Sequence, residues 1–291
     1  MDLRAIFMGL SFALIWSSAF TSARIIVAHA PPMGSLAVRF LISGLIGVAV
    51  AKALGQSWNL TRSQWRAVFI FGLCQNALYL GLNFVAMQWI EAGLASIIAS
   101  TMPLMVALAG WSIFGDRLKP MAALGLAAGI AGVAVIMGTR LSGGVDLTGV
   151  MLCFVGAAAL TIATLSVRTA SGGGNLMMIV GLQMFVGAFF LAIASLFLET
   201  FTVDWSWELG AAFTYTIFAP GLLATWIWFA LVGRIGAVRA ATFHFLTPFF
   251  GVAIAAMLLG ENLTWVDGIG VAIITVGILL VQLSKQNPTR T

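Results

Sequence analysis

Apolar residues along this chain gather into long unbroken runs rather than an alternating pattern. Charged or glycine- and proline-rich breaks separate ten of them, covering about 5–27, 33–54, 65–89, 92–114, 120–139, 147–167, 176–198, 209–232, 238–259 and 265–284. A helix needs roughly 20 apolar residues to cross the hydrocarbon core. The pattern therefore predicts an all-α integral membrane protein of ten transmembrane helices. A β-barrel is excluded, because its strands alternate in segments of about ten residues. The first run is about 23 residues long and no clear A-x-A site ends it, so it reads as a first span and not a signal peptide.

Composition agrees. Of 291 residues, 61% are hydrophobic and 8% charged, against about 25% charged in a soluble domain. Ten spans leave only short connections and no room for a separate soluble domain. Cys74 and Cys153 sit inside apolar runs and read as packing residues, not a disulfide or a metal site. The net charge of +5 comes from cations in loops beside the runs, which points to membrane topology and away from nucleic acid. With the N-terminus placed in the cytoplasm, eleven cations fall inside (among them Arg4, Lys52, Arg62, Arg66, Lys119 and Arg234) and only Arg24 and Arg140 outside. The positive-inside rule then predicts that both termini are cytoplasmic. Trp58, Trp65, Trp89, Trp111, Trp205, Trp207 and Trp265 lie at span ends, as an aromatic belt requires.

The chain also repeats itself at an offset of 145 residues. Pro103 matches Pro248, Gly115 matches Gly260, Leu118 matches Leu263, Gly125 matches Gly270 and Gly132 matches Gly277, with Asp116 opposite Glu261. Five spans per half is an odd number, so the second half must enter the membrane upside down. The predicted organisation is a first five-helix repeat over 1–140 and an inverted second over 141–291. Inverted repeats are a common plan for secondary transporters, whose solute sites lie near the midplane.

A mid-helix proline followed by Gly-acid-x-Leu and a glycine-bearing final helix, in each half, resembles the EamA-type drug/metabolite transporters. Ile15-Trp16-Ser17-Ser18-Ala19-Phe20 is similar to the opening helix of that family, and Arg39-Phe40 to its Arg-aromatic pair in the second. Asp116 departs from the glutamate usual at that turn. Within the family the chain most resembles the YddG-type amino-acid exporters of bacterial inner membranes. The resemblance covers the whole chain and implies ten helices in two inverted halves, a multi-pass protein of the inner (plasma) membrane, and alternating-access transport.

Polar residues inside spans are costly in hydrocarbon and tend to face a cavity or another helix. The third span carries Gly72, Gln75, Asn76, Tyr79 and Asn83 at i, i+3, i+4, i+7 spacing, which predicts one polar face near mid-membrane. Trp16, Ser17 and Thr21 of the first span, Ser100 of the fourth, Trp226 and Trp228 of the eighth and His244 of the ninth complete the candidate cavity. Each span hydroxyl has a competing reading as a partner of its own helix. Pro103 and Pro248 are candidate kinks or hinges. Gly125, Gly129, Gly132, Gly270 and Gly277 read as helix-packing contacts. Arg39 lies about 10 Å along the second span, and two readings stand for it, a structural role or a contact to a substrate carboxylate. His244 is the one mid-membrane group with a pKa near neutrality, so it either carries a coupled proton or stays neutral in facilitated transport.

No G-x-x-x-x-G-K-[ST] occurs, which excludes ATP hydrolysis by this chain. Neither paired acids nor a zinc cluster supports an intramembrane enzyme, and no cofactor or metal is expected. The favoured function is export of neutral and aromatic amino acids, whose zwitterion and apolar side chain suit amides, hydroxyls and rings. Efflux of cationic drugs or other small metabolites is the alternative, followed by a receptor or scaffold. The expected partners are a small-molecule solute and the lipid bilayer; oligomeric state is not predicted.

Overall fold

The computed structural model describes residues 3–114, 119–167, 175–235, 240 and 242–286, and among these it is all-helical. The helices are α1 (Leu3–His29), α2 (Pro32–Ala53), α3 (Arg62–Ala86), α4 (Ala92–Ala99 and Met102–Phe114), α5 (Pro120–Ser142), α6 (Leu147–Val167), α7 (Leu176–Leu198), α8 (Trp207–Thr216, Ile217–Leu223 and Ala224–Ile235), α9 (Thr242–Leu246 and Thr247–Leu259) and α10 (Trp265–Gln286). Among the described residues, nine helices are long and apolar enough to cross a membrane. They coincide with the apolar runs to within about three residues at each end. The ninth run differs. Its described part is a five-residue 3₁₀ turn followed by a 13-residue α-helix, about 10 and 20 Å long in turn; residues 236–239 and 241 lie outside the described set.

Local chemistry sets several boundaries. At the start of α3, the Thr61 side chain accepts from the Gln64 amide, and the Gln64 side chain accepts from the Thr61 amide, a reciprocal cap. Ser206 caps α8 by accepting from the Leu209 amide. Gly260, at φ 66°, ends α9 in the left-handed conformation that favours glycine. Glu199 accepts from the amides of Met33 and Gly34 at the N-terminus of α2, and Glu261 does the same for Ala92 and Gly93 of α4. In both cases a carboxylate meets the positive end of a helix dipole and satisfies two otherwise orphaned N–H groups.

Four helices depart from regular α geometry. Residues Gly72–Leu80 of α3 and Ile217–Leu223 of α8 are π-helical, the latter around Pro220. α4 is interrupted at Ser100–Thr101, just after Ala99. Pro103 lacks an N–H and its ring clashes with the carbonyl four residues back, which is that of Ala99. In α9 the 3₁₀ turn Thr242–Leu246 likewise precedes Pro248. Each proline thus stands just after a stretch of irregular helix.

The chain forms two compact units, one of residues 1–21, 90–150 and 223–291 and the other of 22–89 and 151–222. Each unit draws on both halves of the sequence. In the first, α5 lies against α10 with almost no side chain between them. A Cβ on Gly125 would stand 2.6 Å from the Gly277 carbonyl, and one on Gly132 3.0 Å from that of Gly270. In the second, α2 meets α7 the same way, where a Cβ on Gly181 would stand 2.8 Å from the Val48 amide and 3.2 Å from the Gly44 carbonyl. Small residues let backbones approach where no hydrophobic force drives helices together.

Burial runs inside out relative to a soluble helix. α2 exposes Val38, Leu41 and Leu45 while burying Ser35, Arg39 and Ser43. The exposed apolar face suits lipid, and the polar groups are withdrawn from it. All seven tryptophans at span ends are exposed.

Candidate functional site

Within the first unit, aromatic rings surround the imidazole of His244. Phe12 and Trp16 stand one turn apart on α1, Trp228 comes from α8, and His244 sits in the 3₁₀ turn of α9. The imidazole centroid lies 5.2 Å from Phe12, 5.1 Å from Trp228 and 6.4 Å from Trp16, each in an edge-to-face arrangement. Phe12 and Trp228 are themselves 4.9 Å apart. His244 is half-buried, and none of its described contacts is a hydrogen bond. Two polar ring nitrogens are therefore framed by three π-systems. Trp226, two residues before Trp228, points elsewhere and is 56% exposed. Positions i and i+2 do not share a helix face, so the eighth span brings one tryptophan of the pair to this cluster and not both.

The hydroxyls of the same unit are mostly taken up by their own helices. Ser17 donates to the Ala13 carbonyl at 2.6 Å and Ser100 to that of Ile97 at 2.6 Å. Thr21 Oγ1 is buried and has no hydrogen-bond partner among the described residues.

The polar stripe of α3 lies in the second unit, and it does not form one open face. Asn76 is 3% exposed and donates through Nδ2 to the Gln183 carbonyl of α7 at 3.1 Å. Asn83 donates to the Tyr79 carbonyl at 2.8 Å and accepts from the Cys153 thiol of α6 at 3.3 Å. Tyr79 is 2% exposed, and Gln75 is half-buried. The stripe is taken up by packing instead: Gly72 and Asn76 meet α7, and Asn83 meets α6. Gly187 and Gly156 bring α7 and α6 against Asn76 and Asn83.

Arg39, also in the second unit, is 6% exposed and lies over the ring of its neighbour Phe40 at 5.0 Å. Its Nε and the Oγ of Ser43, one turn on, are both buried without a partner.

Sequence reasoning misses a charged network in the first unit. Arg140, in the last turn of α5, pairs with Glu91 Oε2 at 2.7 Å and with Asp267 Oδ2 at 3.0 Å. Asp267 also accepts from the amide and hydroxyl of Thr264. The sequence places these residues only at span ends, and spacing along the chain carries no sign that three ends converge. Asp116, the repeat mate of Glu261, lies outside the described residues. Among the described residues there is no cluster of three or more His, Cys, Asp or Glu fit to hold a metal ion.

Long apolar helices with withdrawn polar groups and proline-broken segments define a polytopic membrane transporter. The model of the EamA-like transporter family matches residues 3–138 and again 147–283, and the chain belongs to that family. It is a multi-pass protein of the plasma (inner) membrane and a transporter, not an enzyme. It is 27% identical to the uncharacterized transporter YvbV of Bacillus subtilis, over 94% of this chain and 90% of that one. It is 27% identical to a probable amino-acid metabolite efflux pump of Salmonella typhimurium, over 94% and 93%. It is 28% identical to the uncharacterized inner membrane transporter YedA of Escherichia coli, over 95% and 90%. One crystal structure matches 98% of this chain and 100% of its own with a TM-score of 0.69 at 20% identity, a likeness of fold.

Proposed function

We propose that the chain exports amino acids, neutral and aromatic ones above others, by alternating access between two inverted repeats, 1–140 and 141–291, with both termini cytoplasmic. The observation that carries the solute class is the cluster of Phe12, Trp16, Trp228 and His244. Its rings offer apolar and π surface to a side chain, and its imidazole offers hydrogen bonds to a zwitterion. The efflux-pump relative in Salmonella typhimurium, whose name specifies amino-acid metabolites, supports the same class, as does the resemblance to YddG-type exporters.

The repeat reading is supported by where the helices lose regularity. The π-helical stretch of α3 begins at Gly72 and that of α8 at Ile217, 145 residues on. The breaks before Pro103 and Pro248 keep the same offset. The pairs α2–α7 and α5–α10, each the corresponding helices of the two halves, pack through glycines. Irregular backbone in spanning helices is tolerated where it is buried in protein or lines a cavity, and it supplies the flexible points that alternating access needs.

Efflux of cationic drugs is the second reading, since an aromatic cluster can hold a cation. It is disfavoured because every acid among the described residues stands in a loop or at a helix end. Counterflow in proteoliposomes decides between them. Phenylalanine should exchange and a quaternary amine should not compete; uptake of the amine alone would overturn the proposal.

A further inference from the structure

Among the described residues Arg39 is a buried cation without a counter-ion, and its Nε has no hydrogen-bond partner. Glu199, at the N-terminus of α2, is occupied by the Met33 and Gly34 amides. Snorkelling does not relieve it, because the lipid-facing positions of α2 are Val38, Leu41 and Leu45 and Arg39 is 6% exposed. An unpaired charge withdrawn from water is strongly unfavourable. Ionisable groups inside a membrane protein survive mainly where they have work on a solute or ion.

A second buried polar group stands beside it. Ser43 lies four residues on, on the same face, and its hydroxyl is also buried and unpartnered. Both side chains converge on the backbone of α8 just after Pro220. A Cβ on Gly221 would stand 3.5 Å from Arg39 Nη2 and 3.7 Å from Ser43 Oγ. The absent side chain lets both donors approach this backbone, with the Thr216 carbonyl 3.0 Å from the same point. We infer that Arg39 and Ser43, set against Gly221, form a seat for the carboxylate of a small organic solute. A guanidinium presents a planar fork matched to a carboxylate, and the hydroxyl donates a third bond. One cation balances one monoanion, whereas a phosphate dianion would leave a net charge in a low-dielectric site.

The identity of the solute rests on the export reading above; the seat itself requires only the carboxylate. The test is thermal unfolding of the full chain in an uncharged maltoside, where no lipid phosphate competes. Phenylalanine, phenylacetate and phenethylamine are the probes. At ten times its dissociation constant a bound carboxylate should raise Tm by about 3–6 °C, and phenethylamine should leave it unchanged. In Arg39→Met the carboxylate shift should vanish, while Tm without ligand does not fall, because an unpaired buried charge has been removed. Arg39→Lys, which keeps the charge and loses the fork, should bind about tenfold more weakly. Should Arg39→Met fail to fold, Ser43→Ala carries the test by halving the carboxylate shift or more. The seat is refuted by equal stabilisation with phenethylamine, by no shift with either carboxylate, or by a full shift in Arg39→Met. Stabilisation by phenylacetate without phenylalanine counterflow would leave the seat standing and overturn amino-acid export alone.

Discussion

Replacing Arg140 with methionine should cost far more than removing the charge of its exposed partner. The guanidinium bridges two carboxylates in very different surroundings. Asp267 is 1% exposed and Glu91 37% exposed, with the Arg140 side chain between them at 20%. Removing one partner of a buried pair costs about 3–5 kcal/mol, because the other is left as an uncompensated charge. Asp267 keeps two bonds from Thr264, at 3.0 and 2.8 Å, so the cost falls at or just below the bottom of that range, about 2–3 kcal/mol. The Glu91 contact is solvent-screened and contributes under about 1 kcal/mol. At about 2–4 °C per kcal/mol for a chain of this order, Arg140→Met should lower the unfolding midpoint by about 5–10 °C. Glu91→Gln should lower it by no more than about 3 °C. Adding Asp267→Asn to Arg140→Met should recover part of the loss, since the stranded charge goes too. The assay is tryptophan fluorescence of the detergent-solubilised protein at one fixed scan rate, comparing midpoints between variants. Equal losses for Arg140→Met and Glu91→Gln would show that burial does not set the energetics of this network.

Gly125→Ala should destabilise by about 1–3 kcal/mol, because its new methyl meets the Gly277 carbonyl, while Gly138→Ala, with nothing within 4 Å, should be neutral or slightly stabilising; similar midpoints for the two would reject the close α5–α10 approach. Cysteine at position 75 should react with a small polar thiol reagent at least tenfold faster than cysteine at 76, 79 or 83, in a background lacking Cys74 and Cys153. Uniform labelling of all four would restore the single open face. Transport of phenylalanine in proteoliposomes should not accumulate solute against its gradient when a pH gradient is imposed, the facilitated case. If accumulation occurs and survives His244→Gln, His244 is not the proton carrier either.

The helices themselves are legible in the amino-acid sequence, because a bilayer imposes a length and a composition on every span. Among the described residues, nine apolar runs coincide with nine long helices for that reason. The packing glycines of α5 and α10 are legible too, since a small residue at helical spacing has few other uses in a membrane. The polar stripe of α3 is not. Its α-helical spacing is real in the sequence, but Asn76 and Asn83 are taken up by bonds to α7 and α6. Trp226 and Trp228 look alike in a sequence, and helix rotation sends one to His244 and the other outward. Local preference and hydrophobicity act on neighbours along the chain, so spans, family and the inventory of polar groups can be read from residue order alone. Which of those groups meet, as Arg140 meets Asp267 and Arg39 approaches Gly221, depends on contacts between residues more than a hundred positions apart. Only the packed helices decide that.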